Sequence, residues 1–134
     1  MLRNLHRLIL TLTLLAIGLL ANAQAADLNL KHAELQGLWL SRGDSVCELQ
    51  ITLDSITVFR FKLNGVTRCG YSLTKEPCEK TLKFPSAIGV YLVEHFTGKD
   101  ICCALSELDA NVLKIIYPNG TECTFVNEKS MKVK

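Results

Sequence analysis

The chain has 134 residues, with 15 Lys and Arg against 13 Asp and Glu, which gives a net charge of +2. That excess lies in residues 1–25, which contain Arg3 and Arg7 and no acidic residue. The length fits one domain. Residues 26–134 have no net charge. This excludes a generic electrostatic nucleic-acid binder, because such a protein needs a basic face to neutralise phosphates.

Residues 1–25 have the layout of a secretory signal peptide. A short basic start precedes the almost wholly apolar stretch Leu8–Ala21, and small residues follow at alternate positions. This pattern predicts cleavage, after Ala25 in preference to Ala23. The apolar stretch has 14 residues, whereas a transmembrane helix needs about 20. We therefore expect a periplasmic or secreted protein with no membrane span after cleavage.

All the cysteines follow this leader, and their number is even. They are Cys47, Cys69, Cys78, Cys102, Cys103 and Cys123. In an oxidising compartment such a set predicts a disulfide framework of up to three bridges. Their intervals of 22, 9, 24, 1 and 20 residues do not match the paired spacing of zinc ligands. We therefore expect neither a metal site nor a cofactor.

The mature chain begins with one predicted helix and continues with short strands. Asp27–Gln36 has helical spacing of its apolar residues, with Asp27 as N-cap and Gly37 as the stop. β-Branched and aromatic runs between turn residues predict strands at Leu38–Leu40, Val46–Thr52, Ile56–Leu63, Val66–Leu73, Thr81–Phe84, Val90–Thr97, Ile101–Leu108, Val112–Tyr117 and Glu122–Asn127. The domain is thus all-β over residues 26–128, and the Lys-rich residues 129–134 are expected to form a disordered tail.

The first predicted hairpin turns at Asn64-Gly65. A three-residue loop pairs Lys62 with Val66 and separates apolar from charged side chains, which a two-residue loop does not. The expected inner face then contains Thr57, Phe59, Phe61, Thr67, Cys69 and Tyr71. The expected outer face contains Arg60, Lys62, Arg68 and Ser72.

The second predicted hairpin turns at Pro118-Asn119-Gly120. Proline supplies a fixed φ and Gly120 a positive φ, and the register directs Leu113, Ile115, Cys123 and Phe125 inward. Asn119-Gly120-Thr121 is also a glycosylation sequon, which we interpret first as a hairpin turn.

Cys102 and Cys103 are adjacent, so on a strand their side chains point to opposite faces. We expect Cys103 to face inward and Cys102 outward, where Cys78 is a reasonable partner. Inside, four thiols compete for one another, namely Cys47, Cys69, Cys103 and Cys123. The sequence leaves their pairing open.

The segment Leu35-Gln36-Gly37-Leu38-Trp39 resembles the L-x-G-x-W opening of small bacterial lipocalin-like secreted domains. Its core, Gly37-Leu38-Trp39, resembles the G-x-W start of lipocalins and related calycins. The late strand pair within Val112–Val126, joined by a Gly-containing turn, fits the same pattern. The resemblance implies a sequential antiparallel β-barrel of about eight strands after a short N-terminal helix. Gly37 and Trp39 are its motif residues.

No catalytic motif is present, and we expect no enzyme. His95 is the only candidate base in the β region, and its neighbour Glu94 lies on the opposite strand face. The favoured hypothesis is an exported binding module that meets a protein or envelope partner through loops such as Ser41–Ser45 and Glu76–Lys80. A carrier of a small apolar ligand and a periplasmic enzyme inhibitor or immunity-type protein are the alternatives. Because three Phe and one Tyr are assigned inward, we expect a closed interior filled by side chains.

Overall fold

The structure, a computed structural model, describes residues 2–43, 47–60, 65–78 and 83–131. A long helix α1 (Leu2–Leu35) precedes the strands, and a single helical turn α2 (Glu128–Met131) follows them. The strands are β1 (Gly37–Ser41), β2 (Cys47–Ile51), β3 (Ser55–Arg60), β4 (Gly65–Thr74), β5 (Val90–Phe96), β6 (Lys99–Leu108), β7 (Val112–Ile116) and β8 (Glu122–Asn127).

The eight strands form a closed antiparallel barrel. Each strand pairs with the next in the sequence, and β8 pairs with β1 to close the sheet. The expected all-β barrel is thus confirmed. The fifth of the nine predicted strands, Thr81–Phe84, is not seen in its described part, where Lys83 and Phe84 lie in a turn and a bend. The expected tail begins as the helical turn α2, and residues 132–134 lie outside the described ranges.

The capping pattern predicted that a helix begins at Asp27, but helix α1 begins upstream of this residue. The helix is continuous through this position, and the Asp27 carboxylate forms an ion pair with Lys75 of the β4–β5 connection. Upstream, the large apolar side chains between Leu8 and Leu20 are more than half exposed. Within the described ranges, no helix has the length and apolar character required to span a bilayer. The signal peptide stays a prediction.

The last turns of α1 close one end of the barrel. Leu35 and Trp39 are fully buried there, and the Trp39 indole Nε1–H donates a 2.8 Å hydrogen bond to the Leu35 carbonyl. Gly37, with φ of +140°, connects the helix to β1 in a conformation that favours glycine. The His32 ring packs on Tyr71 at a centroid distance of 5.3 Å. The G-x-W motif therefore closes the barrel, since it turns the chain so that the indole reaches the end of the helix.

The β7–β8 hairpin has the predicted register. Ile115 lies opposite Cys123 and Leu113 opposite Phe125, and Gly120 has the expected positive φ, at +85°. Gly120 also lies against the ring of Phe84: a Cβ added to it would be 2.8 Å from the ring's ζ carbon. This second reason for glycine is tertiary and cannot be seen in the turn sequence.

The predicted β3–β4 register is wrong. Val66 lies opposite Phe59, not Lys62, and the connecting residues 61–64, including Phe61 and Lys62, lie outside the described part of the chain. The inner face of β3 consists of Ile56, Val58 and Arg60, whereas Thr57 and Phe59 alternate with them on the outer face. Cys69 and Tyr71 of β4 face inward, as expected. Both faces of β3 contain apolar residues, so alternation alone did not determine its orientation.

A disulfide joins Cys78 to Cys102 on the outer side of the barrel, with 6.2 Å between their Cα atoms. This is the pairing that the opposite-face argument favoured. Cys102 packs with Tyr91 and Ala104 in a small cluster separate from the main core. The bridge ties the β4–β5 connection to β6.

Candidate functional site

A cavity of about 630 Å³ opens at the end of the barrel opposite α1. Its mouth is bordered by residues of the β5–β6 and β7–β8 turns, and its walls by inward side chains of the strands. Apolar wall residues are Leu49, Val58, Phe96, Ile101 and Phe125. The volume is within the range typical of small-molecule sites, about 300–1,000 Å³.

The expectation of a completely filled interior is therefore wrong for this half of the barrel. Near α1 the interior is packed, with Leu92, Leu105 and Leu113 fully buried. In the other half, the smaller Val58 occupies the inner face, and Phe59, which we expected there, lies on the outer face. The reversed orientation of β3 removes one aromatic ring from the interior and leaves space.

Glu94 is the buried acidic residue of the cavity, with only 6% of its surface exposed. It lies on β5 opposite Tyr71 of β4 and Ile101 of β6. Burial raises the pKa of its carboxyl group, and the guanidinium of Arg60 opposes that shift. The ion pairs between described residues do not include the Glu94 carboxylate, and its charged neighbour is the Arg60 guanidinium. The Glu94 carboxylate is therefore a desolvated polar group available to a molecule inside the cavity.

Arg60 is the cationic residue of the cavity wall. It is exposed, at the end of β3, and belongs to the inner face, where it lies opposite Cys47. The site thus has a buried carboxyl group and an exposed cation among apolar wall residues. Such a distribution can orient an elongated ligand that carries one polar end.

The four cysteines outside the bridge are free thiols that face the interior. Cys47, Cys69 and Cys123 line the cavity, and Cys103 is fully buried. Burial raises the pKa of all four, that of Cys69 to about 11. At neutral pH they are neutral thiols and act as small apolar wall groups.

No set of three or more His, Cys, Asp or Glu among the described residues is arranged to hold a metal ion. The free thiols lie on four different strands, β2, β4, β6 and β8, and those of Cys47, Cys69 and Cys123 line the cavity. The wall residues offer polar and apolar contacts to a small molecule.

The residues singled out from the sequence lie apart from the cavity or only partly in it. Gly37 and Trp39 lie at the closed end, and the loops 41–45 and 76–80 are only partly described. Glu94 was missed as a site residue. Its signal was present, because Val90, Leu92, Glu94 and Phe96 share one strand face and only one of them is charged.

The burial of Glu94 predicts a pH-dependent stability. Its raised pKa means that the protonated form favours folding, so its contribution is present below the ordinary value of 4.5 and is lost as pH rises through the raised folded value. We expect Glu94→Gln to increase the free energy of unfolding at pH 7 by on the order of 1 kcal/mol. The difference in unfolding free energy between Glu94→Gln and the parent should become smaller towards acidic pH. Urea unfolding at several pH values measures this difference.

Glu122→Gln is the matched control, because Glu122 is an exposed carboxylate of β8. It should change stability little at either pH. A Glu94→Gln protein that is less stable than the parent at pH 7 would contradict the interpretation of Glu94 as a desolvated acid.

Comparison with protein-family models, curated proteins and solved structures finds no match for this chain.

Proposed function

We propose that this protein binds a small, mainly apolar molecule inside its barrel. The observation that carries the proposal is the cavity of about 630 Å³, whose apolar walls enclose one buried acidic residue, Glu94, outside the described ion pairs. Concave apolar sites with a few convergent polar groups are the usual form of small-molecule sites. This favours the carrier hypothesis over a module that acts only through its rim.

The buried carboxylate suggests the chemistry of the ligand. Glu94 accepts hydrogen bonds when ionised and also donates one when protonated. A ligand ammonium group would remove the cost of leaving that carboxylate buried and unpaired, whereas a ligand carboxylate would add a second buried negative charge. We therefore propose an apolar ligand with an amine as its polar end.

We also propose that the protein is located outside the cytoplasm. The signal-like residues 1–25 and the Cys78–Cys102 bridge support export to an oxidising compartment. The G-x-W motif at the closed end supports a lipocalin-like origin of the barrel. The rim-binding and inhibitor hypotheses stay predictions.

The direct test uses a fluorescent probe and three competitors with the same chain length. N-phenylnaphthylamine is titrated into the purified protein, and is then displaced with decylamine, decanol and decanoate. We expect stoichiometric probe binding and the strongest displacement by decylamine. Absence of any saturable probe or competitor binding would overturn the carrier proposal and favour the hypothesis of a module that binds through its rim.

Substitution of Glu94 separates ligand chemistry from binding itself. Glu94→Gln should keep probe affinity and reduce the preference for decylamine over decanol by about tenfold, because the loss of a charge-assisted hydrogen bond costs about 1.5–3 kcal/mol. Glu122→Gln should leave the preference unchanged. Equal decylamine selectivity in the parent and the Glu94→Gln protein would contradict the amine and leave the cavity proposal intact.

A further inference from the structure

Three polar side chains on the outer surface of the barrel form a continuous chain of hydrogen bonds. The Ser72 Oγ atom lies 2.9 Å from Nε2 of His95. On the other side of the same ring, Nδ1 lies 3.0 Å from Oδ1 of Asp100. Both distances are in the normal hydrogen-bond range. The order of groups is hydroxyl, imidazole and carboxylate.

The sheet fixes these groups relative to one another. Ser72, His95 and Asp100 belong to the adjacent strands β4, β5 and β6. Asp100 lies directly opposite His95, and on the other side His95 lies opposite Gly70, two residues before Ser72. Ser72 therefore reaches the imidazole diagonally across the β4–β5 pair, past Gly70, which has no side chain. A Cβ at Gly70 would lie 3.9 Å from the His95 Cβ.

The two hydrogen-bond partners indicate which ring nitrogen carries the hydrogen in the neutral imidazole. A carboxylate only accepts, so Asp100 accepts from Nδ1–H of His95. The lone pair then lies on Nε2, where it accepts the hydroxyl proton of Ser72. These are the roles of nucleophile, general base and orienting group in serine hydrolases, which are recognised by geometry and not by fold or sequence order.

We infer that Ser72 is an activated surface nucleophile that takes an acyl group from small activated carboxylic esters. All three side chains are accessible, with 43% of the His95 side chain and 61% of the Asp100 side chain exposed. A shallow depression beside His95 is lined by the cations Arg68 and Lys99 and by the carboxylate of Asp54. Because the two cations outnumber this single carboxylate, the depression favours esters that carry a negative charge. Ser72 and His95 lie outside the interior cavity, whereas Asp100 also borders that cavity.

The chemistry balances with water as the co-reactant. The Ser72 oxygen bonds to the ester carbonyl carbon while its proton moves to His95 Nε2. The carbon–oxygen bond to the alcohol then breaks, and the leaving oxygen takes that proton. Water attacks the acyl-serine, passes a proton through Nε2 back to the Ser72 oxygen, and releases the acid. The net reaction converts one ester and one water into one acid and one alcohol.

The test uses the full chain with p-nitrophenyl acetate and with mono-p-nitrophenyl succinate. We expect release of p-nitrophenolate, with an acyl group on the peptide that contains Ser72, found by mass spectrometry. Ser72→Ala and His95→Gln should each lower the rate by about tenfold or more. Asp100→Asn should slow acylation without moving its site, and the succinate ester should react faster than the acetate.

Ser130→Ala is the matched control, because this serine lies on α2 and bonds to the Asn127 carbonyl. It should leave the rate unchanged. Circular dichroism of each variant shows whether the barrel is folded. A folded Ser72→Ala protein that reacts as fast as the parent, or acylation confined to lysines, would overturn the inference.

Discussion

Replacing Trp39 with alanine is expected to destabilise the barrel more than any other single change to its core. The side chain is fully buried at the closed end, and its Nε1–H provides the hydrogen bond to the Leu35 carbonyl at the end of α1. A Trp-to-Ala change in a core costs about 3–5 kcal/mol, a large part of the stability of a small domain. We expect unfolding at a much lower urea concentration, or no folded protein at all.

Trp39→Phe separates the two contributions. Phenylalanine retains much of the packing but leaves the Leu35 carbonyl without its donor, so we expect a loss of about 1–3 kcal/mol. Because Trp39 is the only tryptophan, unfolding of both variants must be followed by circular dichroism instead of tryptophan fluorescence. Parent-like stability of Trp39→Ala would contradict the role of the indole in closing the barrel.

Gly120→Val is expected to have the second-largest effect. Valine tolerates the φ of +85° poorly, and its Cβ would approach the Phe84 ring to 2.8 Å. Backbone strain and overpacking together should cost about 2–4 kcal/mol. Asn119→Ala removes one hydrogen bond of 3.0 Å, donated by the Thr121 N–H, and should cost about 1 kcal/mol. Urea unfolding curves compare the two.

A second substitution separates the backbone strain of Gly120→Val from its steric contact with Phe84. In Phe84→Ala protein the steric part is absent, so Gly120→Val should cost less there than in the parent, as a double-mutant cycle measures. Equal effects of Gly120→Val and Asn119→Ala in the parent would mean that neither the positive φ nor the Phe84 contact constrains this turn.

The β7–β8 hairpin was predictable because its signals are local. Pro118, Asn119 and Gly120 each favour a defined part of the turn, and the polar residues Lys114, Glu122 and Thr124 mark the outer face. The β3–β4 hairpin was not predictable in the same way. Ile56 and Val58 compete with Phe59 for the inner face, and the tertiary environment of the barrel decides between them.

The candidate sites show the same limit. Alternation along β5 correctly placed Glu94 and His95 on opposite faces of the strand. It did not reveal that Glu94 borders a cavity. His95 was recognised as a candidate base, whereas its contacts with Ser72 and Asp100 depend on pairing across three strands. Such contacts join residues distant in sequence, and no short motif encodes them.

The pairing of β1 with β8 also has a consequence for biosynthesis. Trp39 lies opposite Asn127, so the sheet can close only after nearly the whole chain is available. Loop-closure entropy makes such long-range contacts form late in folding. Until then the edges of β1 and of the last available strand are unpaired and open to association with other chains. The nascent chain therefore cannot complete its sheet until its last strand emerges, and the free edges of the strands already made stay accessible to chaperones for that time.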